Sequence, residues 1–240
     1  MQKDYNKLCM YCGSYNTLDR RDGILDCKDC NSFSCLNPLN GQEYLKNYHA
    51  YNISWLRPKI YYLLLKALKC GLKRNLTIAD LGCGAGHALY WAKKYKCTTI
   101  GYDIAESFNY IKNADKFYSN LESLSKFEKN TCDLVWCWHT IEHSENPLEL
   151  IKLAHNILKP GGKAYFEFPE STLMFKTFPF NVYKNFSFPE HRGIPSASWV
   201  YSALENMGFK NINITYPSEG RWLYLQSFKP LIHARITGTK

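Results

Sequence analysis

Three groups of residues in this chain have the types and spacing that chemistry needs. The first is Ala79-Asp80-Leu81-Gly82-Cys83-Gly84-Ala85-Gly86-His87, in which an acid ends an apolar run and three glycines follow at alternate positions. Side chains there would block a ligand lying against the backbone, and a tight turn needs dihedrals that glycine supplies. The spacing is Gly-x-Gly-x-Gly. The Gly-x-Gly-x-x-Gly that cradles a pyrophosphate is absent from this loop. A cofactor without phosphate needs room and a polar anchor, and Asp103, 21 residues after Gly82, is a candidate anchor. Both oxygens of one carboxylate can accept from a vicinal diol, as an acid does for the ribose in dinucleotide folds. The alternative for Asp103 is an ordinary helix cap.

The second group is Cys9-x-x-Cys12 and Cys27-x-x-Cys30, separated by fourteen residues. Two such knuckles supply four thiolates to one tetrahedral Zn²⁺, a closed structural site with no position left for substrate. Redox-active or merely buried thiols are the alternatives. Cys35 follows the quartet closely.

The third group is the histidines. His191, in Phe188-Pro189-Glu190-His191-Arg192-Gly193, is the first candidate for a general base, with a loop-ordering role as the alternative. His139-x-x-Glu142-His143 matches an inverted zinc-protease motif formally. That motif needs one continuous helix, and these residues stand at a strand-to-helix edge, so the assignment is rejected. His139 remains the second catalytic candidate and a candidate for contact with cofactor or substrate, and Glu142 with His143 for ordering the turn. His87 reads as a capping or packing residue. Phe175, Phe178, Phe180, Tyr183, Phe186 and Phe188 could form a lid over a ring-shaped substrate or a small core of their own. Tyr48 and Tyr51 could close over the cofactor from the other side.

Short strands alternating with helices from Leu76 onward must position these groups, which is the pattern of a parallel sheet with crossovers. Strands are predicted at 77–81, 97–102, 116–119, 132–138, 163–168, 209–216 and around Leu223 to Phe228, and helices at 87–95, 147–158 and 198–207. The fold class expected is α/β, a Rossmann-like seven-stranded doubly wound sheet with a small N-terminal zinc ribbon. Three sections are expected: 1–40 as the ribbon, 41–75 as a helical connector, and 76–240 as the cofactor-binding domain. The connector holds a short helix near Gln42 to Tyr48 and a longer one after Pro58, with apolar residues at helical spacing from Ile60 to Leu68.

From Leu76 to Phe228 the chain resembles the class I S-adenosylmethionine methyltransferases. Asp80 to Gly86 looks like their first motif and Asp103 like their ribose-binding acid. Cys132-Asp133-Leu134-Val135-Trp136 followed by Ile141-Glu142-His143 resembles their fourth strand and turn, and Leu158-Lys159-Pro160-Gly161-Gly162 the turn before their fifth strand. The resemblance implies that S-adenosylmethionine is the cofactor. It implies that Asp80, Gly82, Cys83, Gly84 and Gly86 surround the methionine part, Asp103 the ribose, and Asn120 with Leu121 the adenine. His139 adds a contact from the end of the fourth strand. The ribbon with Asn37-Pro38 and a Tyr-rich helix is similar to that of bacterial methyltransferases of glycan and natural-product pathways, which implies a small, sugar-like acceptor.

The remaining properties bear on partners. With 45% apolar residues and no run near the ~20 needed to span a bilayer, the chain reads as globular without membrane insertion. Met1 to Lys7 has no apolar run behind its charges, so no secretory signal is expected, and a cytoplasmic setting would keep the thiols reduced. The net charge of +9 gathers in part at Arg57, Lys59, Lys66, Lys69, Lys73 and Arg74. That stretch could dock RNA or be a solvated helix face. The first forty residues balance five basic against five acidic side chains. Against an RNA substrate, Trp136-Cys137-Trp138-His139 stands where base-amine methyltransferases carry an Asn-Pro-Pro-Tyr-type motif. An inactive binding protein is the third reading, opposed by the intact Asp80, glycine loop and Asp103.

Overall fold

A computed structural model describes residues 7–20, 23–40, 43, 57–104, 113–173, 188–216 and 233–240. Its centre is a seven-stranded sheet. Strands β4 (Thr77–Leu81), β5 (Thr98–Tyr102), β6 (Lys116–Tyr118), β7 (Cys132–Trp138) and β8 (Leu158–Pro169) run parallel. The last two strands are β10 (Lys210–Thr215) and β11 (His233–Thr239). The spatial order is β10-β11-β8-β7-β4-β5-β6, with β11 antiparallel to both neighbours. The chain moves outward from β4 through β6, then returns to β7 on the other side. Strand order therefore reverses between β4 and β7, and the crevice beyond their C-terminal ends is where such sheets bind ligands.

The strands alternate between two covered faces, as the period of two requires. Leu134, Trp136 and Trp138 of β7 join Ile78 on the face covered by α1 (Arg57–Lys69) and α2 (His87–Lys94), with Ala67, Cys70, Ala88 and Ala92. Val135 and Cys137 join Leu81 and Ile100 on the other face, under α4 (Pro147–Ile157) and α5 (Ala197–Asn206), with Leu150, Ile151, Val200 and Leu204. Trp136 is fully buried, and its indole N–H donates to the Cys70 carbonyl at 2.9 Å, so no polar atom of its ring is stranded. The remaining helix, α3 (Leu121–Phe127), is capped by Asn120, whose side chain accepts from the Ser123 N–H.

The expected elements recur with two differences. The strand around Leu223 to Phe228 and, apart from Glu43, the helix near Gln42 to Tyr48 lie outside the described residues, and the strand that slots between β8 and β10 is His233–Thr239. That segment, His-Ala-Arg-Ile-Thr-Gly-Thr, reads as polar, yet His233 and Arg235 are buried. Second, α1 forms part of the sheet's covering layer, and one of its basic residues, Lys66, is 3% exposed, not solvated. No described helix is long and apolar enough to cross a membrane.

Strands β1 (Thr17–Asp19), β2 (Ile24–Cys27) and β3 (Phe33–Cys35) form the N-terminal ribbon, and β9 (Gly193–Ile194) joins it as a fourth strand beside β3. The ribbon is thus fastened to the large domain. The Trp199 indole donates to the Tyr11 carbonyl at 2.9 Å, the Ser171 hydroxyl to the Asn31 carbonyl at 2.6 Å, and the Cys35 N–H to the Arg192 carbonyl at 2.8 Å. A Cβ at Gly193 would lie 2.5 Å from the Phe33 carbonyl oxygen and 2.8 Å from Met10 Sδ. Gly193→Ala should therefore push β9 off the ribbon, costing about 1–3 kcal/mol, and thermal unfolding should show it as a lowered Tm. An unchanged Tm would mean that the two parts are not tightly docked.

Candidate active site

The glycine loop leaves β4 at the reversal point. Gly82 has φ +80°, and a Cβ there would lie 2.1 Å from the Thr140 hydroxyl oxygen, so a side chain is excluded by both dihedral and space. Thr140 holds its place by donating to the Leu81 carbonyl at 2.9 Å. The Gly82 and Cys83 N–H groups both donate to the Tyr102 carbonyl, at 2.8 and 2.9 Å, which ties the loop to the end of β5. Asp103 follows immediately. It is buried, and its Oδ2 accepts from the Gly84 N–H at 2.8 Å. The glycine loop and the second-strand acid are thus in direct contact. Burial pushes the Asp80 carboxyl up to about 7, with Asp103 adding to the rise and Lys66 opposing it. Asn120 stands beyond β6, whose Tyr118 carbonyl accepts from the Asp103 N–H at 3.3 Å. Leu121 is partly buried against the core.

Beside this loop, at the C-terminal edge of β7 and β8, ionisable side chains gather. His139, directly after β7, takes φ +54°, a conformation that non-glycine residues adopt rarely and that tends to mark functional sites. Its N–H donates to the Glu167 carbonyl at 2.8 Å. Its ring lies between two carboxylates: Nδ1 is 3.3 Å from Glu142 Oε1, and Nε2 is 3.5 Å from Glu167 Oε1. Burial would lower the imidazole pKa, but the two carboxylates outweigh it and raise the value. The ring of His233, 4.5 Å away centre to centre, is pushed down to about 3, chiefly by burial, and stays neutral.

Glu167 is the hub. Lys66 Nζ lies 2.6 Å from Oε1, and Arg235 donates from Nε and Nη2 to Oε2 at 2.9 and 2.6 Å. All three are buried, and Lys66 also sits 4.5 Å over the Trp138 ring. Burial would raise the Glu167 carboxyl, but Lys66, His139 and Arg235 hold it well below its usual range. Glu142 is 1% exposed, and neither of its oxygens accepts an aligned hydrogen bond among the described residues. Burial would raise its pKa, but His139, His143 and His191 hold it at about 2.

The structure brings His191 to Glu142 from the far side of the chain. The Arg192 and Gly193 N–H groups donate to the Glu142 carbonyl at 2.9 and 3.3 Å, and His143 Nδ1 lies 3.0 Å from the Glu190 carbonyl. The His143 and His191 rings meet edge to face at 4.6 Å. His87 opens α2 beside the loop, half-buried. Of the proposed lid, Phe175, Phe178, Phe180, Tyr183 and Phe186 lie outside the described residues, as do Tyr48 and Tyr51. Sequence reasoning missed Lys66, Glu167, His233 and Arg235. The signal was available: a glutamate within Tyr165-Phe166-Glu167-Phe168 of a buried strand demands a cationic partner.

The cysteine quartet fits a tetrahedral ion. Cys9 Sγ is 3.6 Å from Cys30 Sγ and Cys12 Sγ is 3.5 Å from Cys27 Sγ, and all four sulfurs lie within 4.8 Å of one another. Ligands ~2.3 Å from a tetrahedral zinc sit about 3.8 Å apart. Cys9 is lowered to about 5, chiefly by the Cys30 thiol beside it, and Cys30 is pushed well up by the same contact. Cys35 stands outside this cluster.

Comparisons with known proteins show the family and the fold. Residues 51–214 match a family model described as a methyltransferase domain. The tRNA U34 carboxymethyltransferase of Helicobacter acinonychis is 27% identical over 183 residues, 65% of this chain and 68% of that protein. The ubiquinone biosynthesis O-methyltransferase of Neisseria meningitidis is 26% identical over 104 residues, 39% of this chain and 44% of that one. The chain thus spans about two thirds of the first relative's length and under half of the second's. A solved S-adenosylmethionine-dependent methyltransferase from Archaeoglobus fulgidus shares the fold, with TM-score 0.58, 20% identity, and 76% of this chain and 94% of that one covered.

Proposed function

The chain belongs to the methyltransferase-domain family, as a class I enzyme that uses S-adenosylmethionine, and from this premise we propose that it methylates a hydroxyl of a small, polar, sugar-like acceptor. One observation carries the reading: Gly82 of the glycine loop lies against Thr140, and on either side of Thr140 in the chain His139 and Glu142 belong to a cluster of buried carboxylates and imidazoles. Such a polar cluster suits a polyhydroxylated acceptor better than an apolar one. Methyl transfer is an in-line attack on the sulfonium methyl carbon, and alignment is the enzyme's main contribution. Asp80, Gly82, Cys83, Gly84 and Gly86 would enclose the methionine part of the cofactor, Asp103 its ribose, and Asn120 with Leu121 its adenine. His191 and His139 are the proposed proton acceptors, and Glu142, which lies close to both, would stabilise the imidazolium that either becomes.

A nucleic-acid acceptor is the second reading, favoured by the carboxymethyltransferase relative, whose name gives tRNA U34 as its target. Charge weighs against it here. Lys66 is committed to Glu167 inside the protein, and in the ribbon Arg20 and Lys28 both reach Asp26, at 2.5 and 2.6 Å. The test is calorimetric titration with S-adenosylhomocysteine, followed by methyl transfer from radiolabelled cofactor to nucleotide sugars and to bulk RNA in parallel. Label in the sugar fraction supports the first reading, and label confined to RNA replaces it with the second. No binding by folded protein would point to a domain that is inactive alone.

The quartet Cys9, Cys12, Cys27 and Cys30 is proposed to hold one structural zinc. Purified protein should carry about one zinc per chain, and Cys12→Ser should lower that content. Metal-free protein with a native circular dichroism spectrum would count against the site.

A further inference from the structure

Six adjacent strands of the large sheet bring basic residues to one edge. Lys73 and Arg74 precede β4, Lys96 precedes β5 and Lys129 precedes β7. Lys163 lies in β8, Lys210 opens β10 and Lys240 follows β11, and Thr239 pairs with both Lys163 and Lys210. The order β10-β11-β8-β7-β4-β5 sets these residues side by side at the N-terminal ends of the parallel strands. We propose that this edge is a docking surface for single-stranded nucleic acid.

Charge is the first support. Lys73, Lys96, Lys129, Lys163 and Lys210 are exposed, and none of them forms an ion pair among the described residues. The carboxylates close by are engaged elsewhere. Asp133 holds Lys159 at 2.7 Å and accepts from the Thr77 N–H at 2.8 Å. Asp115 holds Lys93 at 2.8 Å, and the buried Glu128 holds Lys116 at 2.7 Å. Lys240 donates to the Asn130 side chain and the Leu158 carbonyl, both at 2.7 Å and both uncharged. Burial, and then the charge of Lys129, lowers its pKa. Such a surplus of positive charge repels itself, and a polyanion relieves it.

Shape is the second support. Strands stand about 4.8 Å apart, so five steps span roughly 24 Å. Neighbouring strands also rotate by about 20–25°, which turns the row by roughly 100–125° from end to end. A flexible phosphate chain can follow a curved row of cations, whereas a flat anionic bilayer meets only part of it. The third support is an aromatic ring. Phe127 ends α3 between Lys126 and Lys129 in the chain and is 62% exposed, with the Tyr118 ring stacked on it at 6.5 Å. Bases of any sequence stack on such rings, and cationic grooves that hold single strands use them.

Docking here does not select the methyl acceptor. Strands β4 and β7 are 5 and 7 residues long. At about 3.3 Å per residue, roughly 17–23 Å separates the row from the glycine loop. Nucleic acid on this edge tethers the chain without entering the cofactor site, and the tether stands whether or not the domain transfers a methyl group.

The test is fluorescence anisotropy of a labelled oligouridine of about 20 nucleotides, titrated with the full chain at several salt concentrations. S-adenosylhomocysteine affinity and Tm are measured on the same samples. The expected dissociation constant is on the order of 10 μM near physiological salt. The logarithm of the binding constant should fall with that of salt at a slope of about −3.5, as about five neutralised phosphates give. Lys73→Gln/Lys96→Gln/Lys129→Gln should weaken binding about 10-fold or more and bring the slope to about −1.4, with cofactor affinity unchanged. Lys7→Gln/Lys28→Gln/Lys152→Gln removes the same charge from exposed positions elsewhere and should weaken binding by about threefold at most. Phe127→Ala should weaken it about 10-fold at an unchanged slope, and it carries the test if the first triple variant does not fold. Absence of binding, or equal losses in the two triple variants, overturns the docking surface. Tighter association with phosphatidylglycerol vesicles than with the oligouridine overturns it as well.

Discussion

Asp103→Ala is expected to weaken S-adenosylhomocysteine binding by about 100-fold, with little change in Tm. The physical case has two parts. Hydrogen bonds to a charged group contribute about 1.5–3 kcal/mol each, and an alanine offers none to the ribose diol. The same carboxylate also accepts from the Gly84 N–H at 2.8 Å, so its loss releases the loop that the methionine part must lie against. Asp103→Asn separates the two parts. Its remaining carbonyl oxygen can still hold Gly84, so its affinity should fall between those of the parent and the alanine variant. Calorimetry on the three proteins decides the matter. Equal affinity in parent and alanine variant would remove Asp103 from the cofactor site and leave it a loop-ordering residue. Gly84→Val tests the same surface from the backbone side and should abolish binding while the fold persists.

Glu167→Gln is expected to destabilise the protein by about 3–5 kcal/mol, because it leaves Lys66 and Arg235 as buried cations without their counter-charge. For a chain of this size that corresponds to a fall in Tm of roughly 10 °C. The glutamine keeps the shape and one accepting oxygen, so the loss reports charge rather than packing. Combining it with Arg235→Gln should be less damaging than the sum of the single changes, since removal of the second cation relieves the first defect. Additive losses on denaturant unfolding would show that the three side chains do not act as one network.

These two residues also mark how far the sequence could be read. The position of Asp103 was legible because it is set locally: a strand ends, an acid follows, and the spacing from the glycine loop is fixed by one strand-helix-strand unit. Cys9, Cys12, Cys27 and Cys30 were legible for the same reason, since each knuckle closes within four residues. Asn120 is expected beside the adenine, and the structure adds that its side chain caps α3. The strand at His233–Thr239 was not seen, because its polar residues broke the apolar pattern that marks an interior strand. The buried Arg235 is met by Glu167, 68 residues earlier.

Patterns within one or two elements thus determined the sheet, the glycine loop and its acid, and the cysteine quartet. Tertiary structure alone decided the partners of the charges. Lys66 looked like one more cation on a basic helix until α1 turned it onto Glu167, 101 residues away. His191 was a candidate base without a partner assigned to it until β9 joined the ribbon beside β3 and the Glu142 carbonyl accepted from the two N–H groups that follow it. Periodicity records which side of an element meets the core, but it does not record which buried charge must be met by which other. That choice is made by the desolvation cost of each ion, and the cost is set only when the chain has closed around it.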